Sequence, residues 1–409
     1  MRVIIFSHGH PKFSKGGGEI SAYNLYTAIS SEPDCEAWFV ARGGKELINP
    51  NCLFSVVKER EYIIGSSSNH FNLSSGIDLS DGGELAELLR KISPNVIHFH
   101  HYVHLGIDLI HCAKRVLPQV KIVVTFHEFI GICHNYGQMV TTSGRLCYQA
   151  SPRECSLCFP LITKEDFFLR EMFIKTHLEK VDQYVSPSRF LMERYIEWGL
   201  SRNKFVCIEN GLPNDYNIVP KLFEDFSKYI RLAYFGQINR FKGVDVILRA
   251  IASLPKKTRK KISLDIYGSG LDTLDLNLKQ ELQDLQKRCG KSVTFHGAYQ
   301  PREIEQLMEG VDWVVMGSVW WENSPVVIQE AFKYGKPVIC PGIGGMQEKV
   351  RPGFGGLNYR VGDALSLRDL ISKICSGSID CKDIIEKIPP ICSLREYAHR
   401  HLAIYNSQS

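Results

Sequence analysis

The chain has 409 residues, 44% of them hydrophobic and 23% charged, with a formal net charge of +5; it is too long for one ordinary core and fits two or three domains. The mild positive charge suits an anionic ligand or loose contact with a membrane surface and gives no reason to invoke nucleic acid. No apolar run is long enough to span a bilayer, the opening MRVIIFSHGHPKF is too brief for a signal peptide, and an odd count of 13 scattered cysteines fits reduced thiols in the cytosol.

Short apolar strands alternate with helical stretches along the whole chain. Val3–Ser7, Ala37–Val40, Val96–His100, Ile122–Phe126 and Gln183–Ser186 read as strands of a first half. The serine- and glycine-rich stretch Gly65–Gly83 reads as a mobile surface loop. Phe205–Ile208, Arg231–Phe235, Ser263–Tyr267, Val293–Phe295, Trp313–Met316 and Pro337–Ile339 read as strands of a second half. The basic run PKKTRKK, Pro255–Lys261, reads as a solvated loop. This alternation predicts parallel sheets covered by helices, one per half. The break falls in the turn cluster ENGLPND, near Asn210–Asp215, giving domains over 1–210 and 211–393. A last helix at Leu394–Tyr405 follows the stiff IPPICS segment, and 394–409 forms a separate C-terminal piece.

The stretch WWENSPVVIQEAFKYGKPVI frames Glu322 and Glu330 around a helix start. Ser324 suits an N-cap, Pro325 the first helical position and Gly335 the residue past the end, so a helix is predicted over Pro325–Tyr334. The amides of Val326 and Val327 then point out of the helix start with its positive dipole end, a ready site for a phosphate. Two carboxylates flanking a bound diphosphate would take hydroxyl donors from a ribose and from a sugar. By itself the pattern fits two solvated glutamates at a capped helix equally well.

Other strand ends add to it. YFGQINRFKG brings Lys242, with Arg240 as a second candidate, to a helix start where a phosphate would be reached. IYGSG places Gly268 in a turn open to backbone approach, and FHGAY places His296 at another strand end. All sit at the carboxyl ends of strands, where open parallel sheets bind ligands. In the first half, KGGGE joins strand to helix, and the amides of Gly17 and Gly18 would approach an anion or be a plain tight turn. TFHEF ends a strand at His127, either lining a site or satisfied in the core. The histidines of HFHHYVH lack acidic neighbours in sequence and read as polar lining rather than metal ligands.

Cys133, Cys147, Cys155 and Cys158 form C-x13-C-x7-C-x2-C in the loop 131–160. Four thiolates ending in C-x2-C suit one structural zinc; unligated thiols, disulfides and an iron–sulfur cluster remain alternatives.

ENSPVVIQEA with GKPVI and GG downstream, FGQINRFKG, IYGSG and KGGGE together resemble the retaining, nucleotide-sugar-dependent glycosyltransferases of family 4. The resemblance covers nearly the whole chain, in the family's order. It implies an α/β GT-B fold, two Rossmann-like domains with parallel sheets facing a central cleft, and a final helix crossing back to the N-terminal, acceptor-binding domain. It implies that Glu330 holds the donor ribose, that Glu322 holds the transferred sugar, and that Asn323, Ser324, Val326 and Val327 lie by sugar and diphosphate. Lys242 would neutralise the leaving diphosphate, His127 would sit by the sugar, and Gly17 and Gly18 would approach the diphosphate. One departure is Gln237, where the family has an arginine. The implied partners are a nucleotide-diphosphate sugar and a glycan or lipid-linked acceptor in surface polysaccharide synthesis, with no catalytic metal, at the inner face of the cell membrane. A zinc-loop binding protein with an inactive sugar site and a GT-B nucleotide-sugar epimerase are the alternatives. A phosphorylase lacks an identifiable cofactor lysine, and a dehydrogenase lacks the dinucleotide fingerprint.

Overall fold

The computed structural model describes residues 1–14, 16–43, 52–213 and 229–407. The chain forms two compact units, Met1–Pro213 with Cys392–Ser409, and Asn214–Ile391. Lys15 of the first glycine stretch, and Asn214 and Asp215 of the turn cluster, lie outside the described residues.

The first unit is built on strands β1 (Arg2–Ser7), β2 (Glu36–Arg42), β3 (Phe54–Lys58), β4 (Glu61–Ile64), β5 (Val96–Phe99), β6 (Lys121–Thr125), β7 (Gln183–Ser186) and β8 (Phe205–Cys207). They lie in the order β3-β4-β2-β1-β5-β6-β7-β8, and each neighbouring pair is parallel except β3 with β4. Strands β1, β5 and β6 are buried along nearly their whole length, because helices cover both faces of a parallel sheet. Chain order runs outward from β1 through β2 on one side and from β5 through β8 on the other. The reversal between β1 and β5 opens a crevice beyond their carboxyl ends, where sheets of this kind take ligands.

Three expectations change here. The strand at Phe205–Cys207 pairs with β7 and so belongs to the first sheet, not to the second half; three residues beside a turn cluster carry no pattern that says which sheet they join. Gly65–Gly83 is pinned rather than free: Leu73 is fully buried, Ser75 N donates to the Asp108 carboxylate at 2.9 Å, and Arg170 Nε donates to Phe71 O at 2.6 Å. The basic run contains a short helix, Lys256–Arg259.

The second unit is built on β9 (Ile230–Phe235), β10 (Ile262–Tyr267), β11 (Val293–Gly297), β12 (Trp313–Val315), β13 (Val338–Pro341), β14 (Arg351–Pro352) and β15 (Gly355–Tyr359), in the order β11-β10-β9-β12-β13-β15-β14. Alternate residues of β9 enter different cores. Leu232 and Tyr234 join one cluster with Ile266 and Trp313, while Ala233 and Phe235 join another with Val314 and Ile328, as the two-residue period of a strand requires. Here the order reverses between β9 and β12, so the loops after Phe235 and Val315 border this unit's crevice.

The last helix, Leu394–Asn406, is capped by Ser393, whose Oγ accepts from Glu396 N at 3.2 Å. It packs on the helix Gly17–Ser30, and Tyr397 Oη meets Ser21 Oγ at 2.8 Å. Its far end satisfies a fully buried imidazole: His98 Nδ1 lies 2.6 Å from Tyr405 Oη and His98 Nε2 lies 2.7 Å from Thr125 Oγ1.

A buried polar atom stripped of its partner keeps its desolvation cost. Tyr405→Phe is therefore expected to destabilise the protein by about 1–3 kcal/mol in urea unfolding. An unchanged midpoint would show that this hydrogen bond does not hold the last helix.

Candidate active site

In the second unit the loop after β9 carries Lys242 and the loop after β12 carries Glu322. Asn239 shapes the first loop: its Oδ1 accepts from Phe241 N at 3.0 Å and from Lys242 N at 3.2 Å. The loops then touch backbone to backbone. A Cβ on Gly243 would stand 2.0 Å from Gly317 O, and one on Gly317 would stand 2.2 Å from Gly243 O. This approach brings Lys242 Nζ to 2.6 Å from Glu322 Oε1. The same oxygen accepts from Ser318 Oγ at 2.8 Å and from Trp320 Nε1 at 3.0 Å. The ammonium also lies 5.4 Å from the Trp320 ring centroid, within cation–π range. Ser318 and Trp320 escaped the reading of the sequence; their signal was proximity, four and two residues before Glu322.

The helix after Glu322 runs Val326–Lys333, and its N-cap is Pro325, in extended conformation with no side-chain cap bond. This corrects the assignment of Ser324 as the cap. With Pro325 extended, the helix begins one residue later than expected and the serine falls outside it; Ser324 Oγ is buried and, among the described residues, has no hydrogen-bond partner. The amides of Val326 and Val327 occupy the first turn, whose N–H groups have no partners inside the helix. Asn323 is buried, and its carbonyl sits where Gly345 must lack a side chain, since a Cβ there would lie 1.6 Å away. Gly345 N also donates to Glu322 O at 2.8 Å. Glu330, on this helix, is half-buried, and desolvation pushes its carboxyl up to about 7 against a smaller opposing pull from Lys333. The Tyr299 phenol is pushed up by burial and then by Glu330.

Three other predicted residues serve different contacts. Arg240 is exposed and pairs with Asp275 at 3.4 Å. Gly268 packs where a Cβ would lie 1.8 Å from Gly236 O, so its missing side chain is required by loop packing. His296 stacks on Tyr267 at 4.5 Å and bonds Asp265 Oδ1 at 2.7 Å, on a strand two places out from the reversal.

In the first unit, Gly17 and Gly18 form the first turn of the helix Gly17–Ser30 rather than a loop, with Gly16 as its N-cap. A Cβ on Gly18 would stand 3.4 Å from both His127 Cγ and His8 Cε1, so glycine, His8 and His127 meet. His127 Nε2 lies 3.2 Å from His100 Nδ1; burial, then nearby His101 and His8, holds it down to about 3. It is a neutral hydrogen-bonding ring. Glu19 closes the group. Burial works to raise its carboxyl, but His8 Nε2, 3.3 Å away, and the Ser14 hydroxyl bring it to about 2.

The residue after His127 was also missed. His101 Nδ1 accepts from Tyr102 N and Val103 N, both at 3.0 Å, so the proton of the neutral ring is on Nε2, which faces Glu128 Oε1 at 2.9 Å. Burial pushes Glu128 up to about 8.

Cys133, Cys147, Cys155 and Cys158 line one cavity of about 290 Å³, with His134, Arg145 and Phe159. None of them is in a disulfide. Among the described residues no three His, Cys, Asp or Glu side chains stand close enough to share an ion. Among them, too, no helix is long and apolar enough to cross a membrane.

Comparison with known proteins follows this division. A family profile described as Glycosyltransferase Family 4 matches residues 15–216, and one described as Glycosyl transferases group 1 matches residues 221–389. The uncharacterized glycosyltransferase MJ1069 of Methanocaldococcus jannaschii is 23% identical over 202 residues, 47% of this chain and 49% of that protein. The D-inositol 3-phosphate glycosyltransferase of Corynebacterium urealyticum is 29% identical over 182 residues, 43% of this chain and 39% of that protein. The matched stretches thus span about half or less of these relatives. Anabaena Alr3699/HepE, solved in complex with UDP and glucose, superposes with a TM-score of 0.63 at 15% identity over 100% of both chains.

The raised Glu330 carboxyl has a testable sign. Its folded pKa, about 7, lies above the usual carboxylate range, so the folded state holds the proton more tightly and stability falls as pH rises from about 4.5 to 7. Glu330→Gln removes that cost. It is expected to stabilise the protein by about 1–3 kcal/mol at pH 8, with the gain shrinking toward zero at pH 5 in thermal unfolding. Equal effects at both pH values would contradict the shift.

Proposed function

Because the chain belongs to the family 4 glycosyltransferases of GT-B fold, we propose that it moves a sugar from a nucleotide-diphosphate donor to a hydroxyl of a glycan or lipid-linked acceptor, with retention of anomeric configuration. The observation that carries this reading is the meeting of Lys242 and Glu322 at the sheet reversal of the second unit, next to the open first turn at Val326 and Val327.

In this reading the first-turn amides and Lys242 take the diphosphate. The ammonium exchanges Glu322 for the phosphate oxygens, and its charge opposes the negative charge that grows as the glycosidic bond breaks. Glu322, still held by Ser318 and Trp320, turns to the hydroxyls of the sugar. Glu330 accepts from the ribose. His127 contacts the sugar as a neutral donor or acceptor; a ring held to about 3 is too weak a base to take the acceptor proton near neutral pH. That proton passes to the departing diphosphate as the acceptor oxygen attacks from the same face, and no protein nucleophile is assigned. The Anabaena protein's UDP and glucose make a UDP-sugar the first donor to try. Exposed Leu157, Leu161, Phe168, Leu169 and Met172, on and beside the helix Lys164–Leu178, favour a lipid-linked acceptor presented at a membrane surface, in surface polysaccharide synthesis.

Thermal-shift screening against UDP-, GDP-, ADP- and dTDP-sugars is expected to single out one base. With that donor, Lys242→Ala and Glu322→Ala should each lower turnover by at least about 100-fold in protein that still folds. Wild-type rates in either variant would defeat this placement, and donor binding with neither transfer nor hydrolysis would make the protein a sugar-nucleotide binder.

A further inference from the structure

The loop 131–160 is not used by the chemistry above, and it lines a cavity of about 290 Å³. Among the described residues the four cysteines on its wall do not stand close enough to share an ion, and none is in a disulfide. They are wall rather than ligands, and a free thiol in a wall behaves as a small apolar group.

The rest of the lining has the same character. Met139 and Leu146 supply aliphatic surface, and Phe159 and Phe167 supply rings. His134 joins the aromatic side, T-shaped to Phe159 with ring centroids 4.8 Å apart. Small-molecule sites are concave and mostly apolar in this way, with a few polar groups that fix orientation. The volume sets the size of the occupant. An apolar cavity of about 150 Å³ takes benzene, so this one has room for roughly ten to twelve carbons.

One charged group on the wall is left for a ligand. Arg145 is exposed and lines the cavity, and among the described residues no acid pairs with its guanidinium. Glu154 also lines the cavity, but the two form no ion pair. Outside, the apolar surface continues. Leu157, between the wall residues Cys155 and Cys158, is 67% exposed. Leu161, just beyond Phe159, is fully exposed, and Phe168 and Leu169, just beyond Phe167, are more than half exposed. An apolar chain therefore meets apolar surface on both sides of this wall, whereas a compact polar ligand would leave most of its hydrogen bonds unmade.

We propose that this cavity binds the hydrocarbon chain of a single-chain anionic amphiphile, with its phosphate or carboxylate held at Arg145. The association is non-covalent. Burial of the chain supplies the affinity, and the guanidinium fixes which end stays outside. Two sources share this chemistry: a lipid phosphate, such as an isoprenyl phosphate, and a free fatty acid. Under the glycosyltransfer reading a lipid phosphate would be the anchor of the acceptor, but the binding itself does not depend on that reading.

The test is calorimetric titration of the purified full chain with decyl phosphate, geranyl phosphate and decanoate, each below its micelle concentration. Saturable binding of about one molecule per chain is expected for at least one of them. In a series of hexyl, octyl and decyl phosphate, affinity should rise roughly tenfold for each two methylenes added. Preference for the phosphates would assign the site to a lipid phosphate, and preference for decanoate to a fatty acid; either supports the proposal. Ala150→Trp, which places an indole on the cavity wall, should abolish binding. Arg145→Gln should weaken it about tenfold, whereas Glu154→Gln should bind at least as tightly as the wild type. No saturable binding, affinity indifferent to chain length, full binding by Ala150→Trp, or about one metal ion per chain in elemental analysis would each overturn the proposal. Should Ala150→Trp not fold, the chain-length series and Arg145→Gln decide. Because the readout is amphiphile binding, its failure would leave the glycosyltransfer reading standing, and absence of transfer would leave this result standing.

Discussion

Lys242 and Glu322 are 80 residues apart in the chain and 2.6 Å apart in the fold, and the second unit's candidate site depends on that contact. Both ends are largely out of water, with side-chain exposures of 27% and 8%. Burying such ions costs several kcal/mol each before their attraction is counted, so a pair of this kind is weak evidence for stability as such. What it does supply is position. Glu322 Oε1 is fixed by three donors, and its carbonyl is fixed by Gly345 N, so the carboxylate is oriented by side chain and backbone together. An anion that displaces it from Lys242 meets an ammonium already aimed, and little reorganisation remains to be done.

That positioning is possible because the strand-end loops are packed through glycine. Gly243 against Gly317, Gly268 against Gly236, and Gly345 against Asn323 are backbone-to-backbone contacts that any Cβ would break. Gly243 also has a φ of 60°, a conformation that only glycine adopts freely. The glycines therefore act one step back from the chemistry. They set how closely the loops approach one another, and through that the distance between the charged side chains.

This is also where the sequence was most and least legible. Parallel sheets in each half follow from short apolar runs alternating with helical stretches, and the strands at Arg231–Phe235 and Trp313–Met316 are nearly those of β9 and β12, because buried parallel strands leave an unbroken apolar trace. Lys242 and Glu322 could be picked out because each lies in a loop after a strand with turn residues around it, and Glu330 because it follows a marked helix start. Ser318, Trp320, His8, His101 and Glu128 could not, because their roles come from tertiary neighbours rather than from spacing. The edge hairpin β3–β4 was missed because a partly exposed strand such as FSVVK has no strong period. Gly268 was read as facing a ligand; a glycine's sequence says that backbone comes close, but not which backbone or what else. Ser324 shows the limit of capping rules: two adjacent residues both suit a helix start, and only the conformation of Pro325 decides between them.

The two sheet reversals differ in electrostatic character, and the difference bears on which half handles which reactant. In the second unit the reversal offers an ammonium, first-turn amides and carboxylates, a set suited to a diphosphate and to ring hydroxyls. In the first unit it offers rings stripped of charge. His98, His100 and His101 are driven well below the ordinary imidazole range by burial first, and then by one another and by His8, His127 and His401. Glu128 is pushed toward its neutral form, and Glu19 is an anion already held by His8 and Ser14. These rings are buried, and His98 has both nitrogens bonded within the fold, so they add no positive charge to the crevice above them. An uncharged hydroxyl suits it better than a phosphate does. If the first unit takes the acceptor, as the proposed reading has it, the burial that makes these histidines poor bases also keeps positive charge off that side.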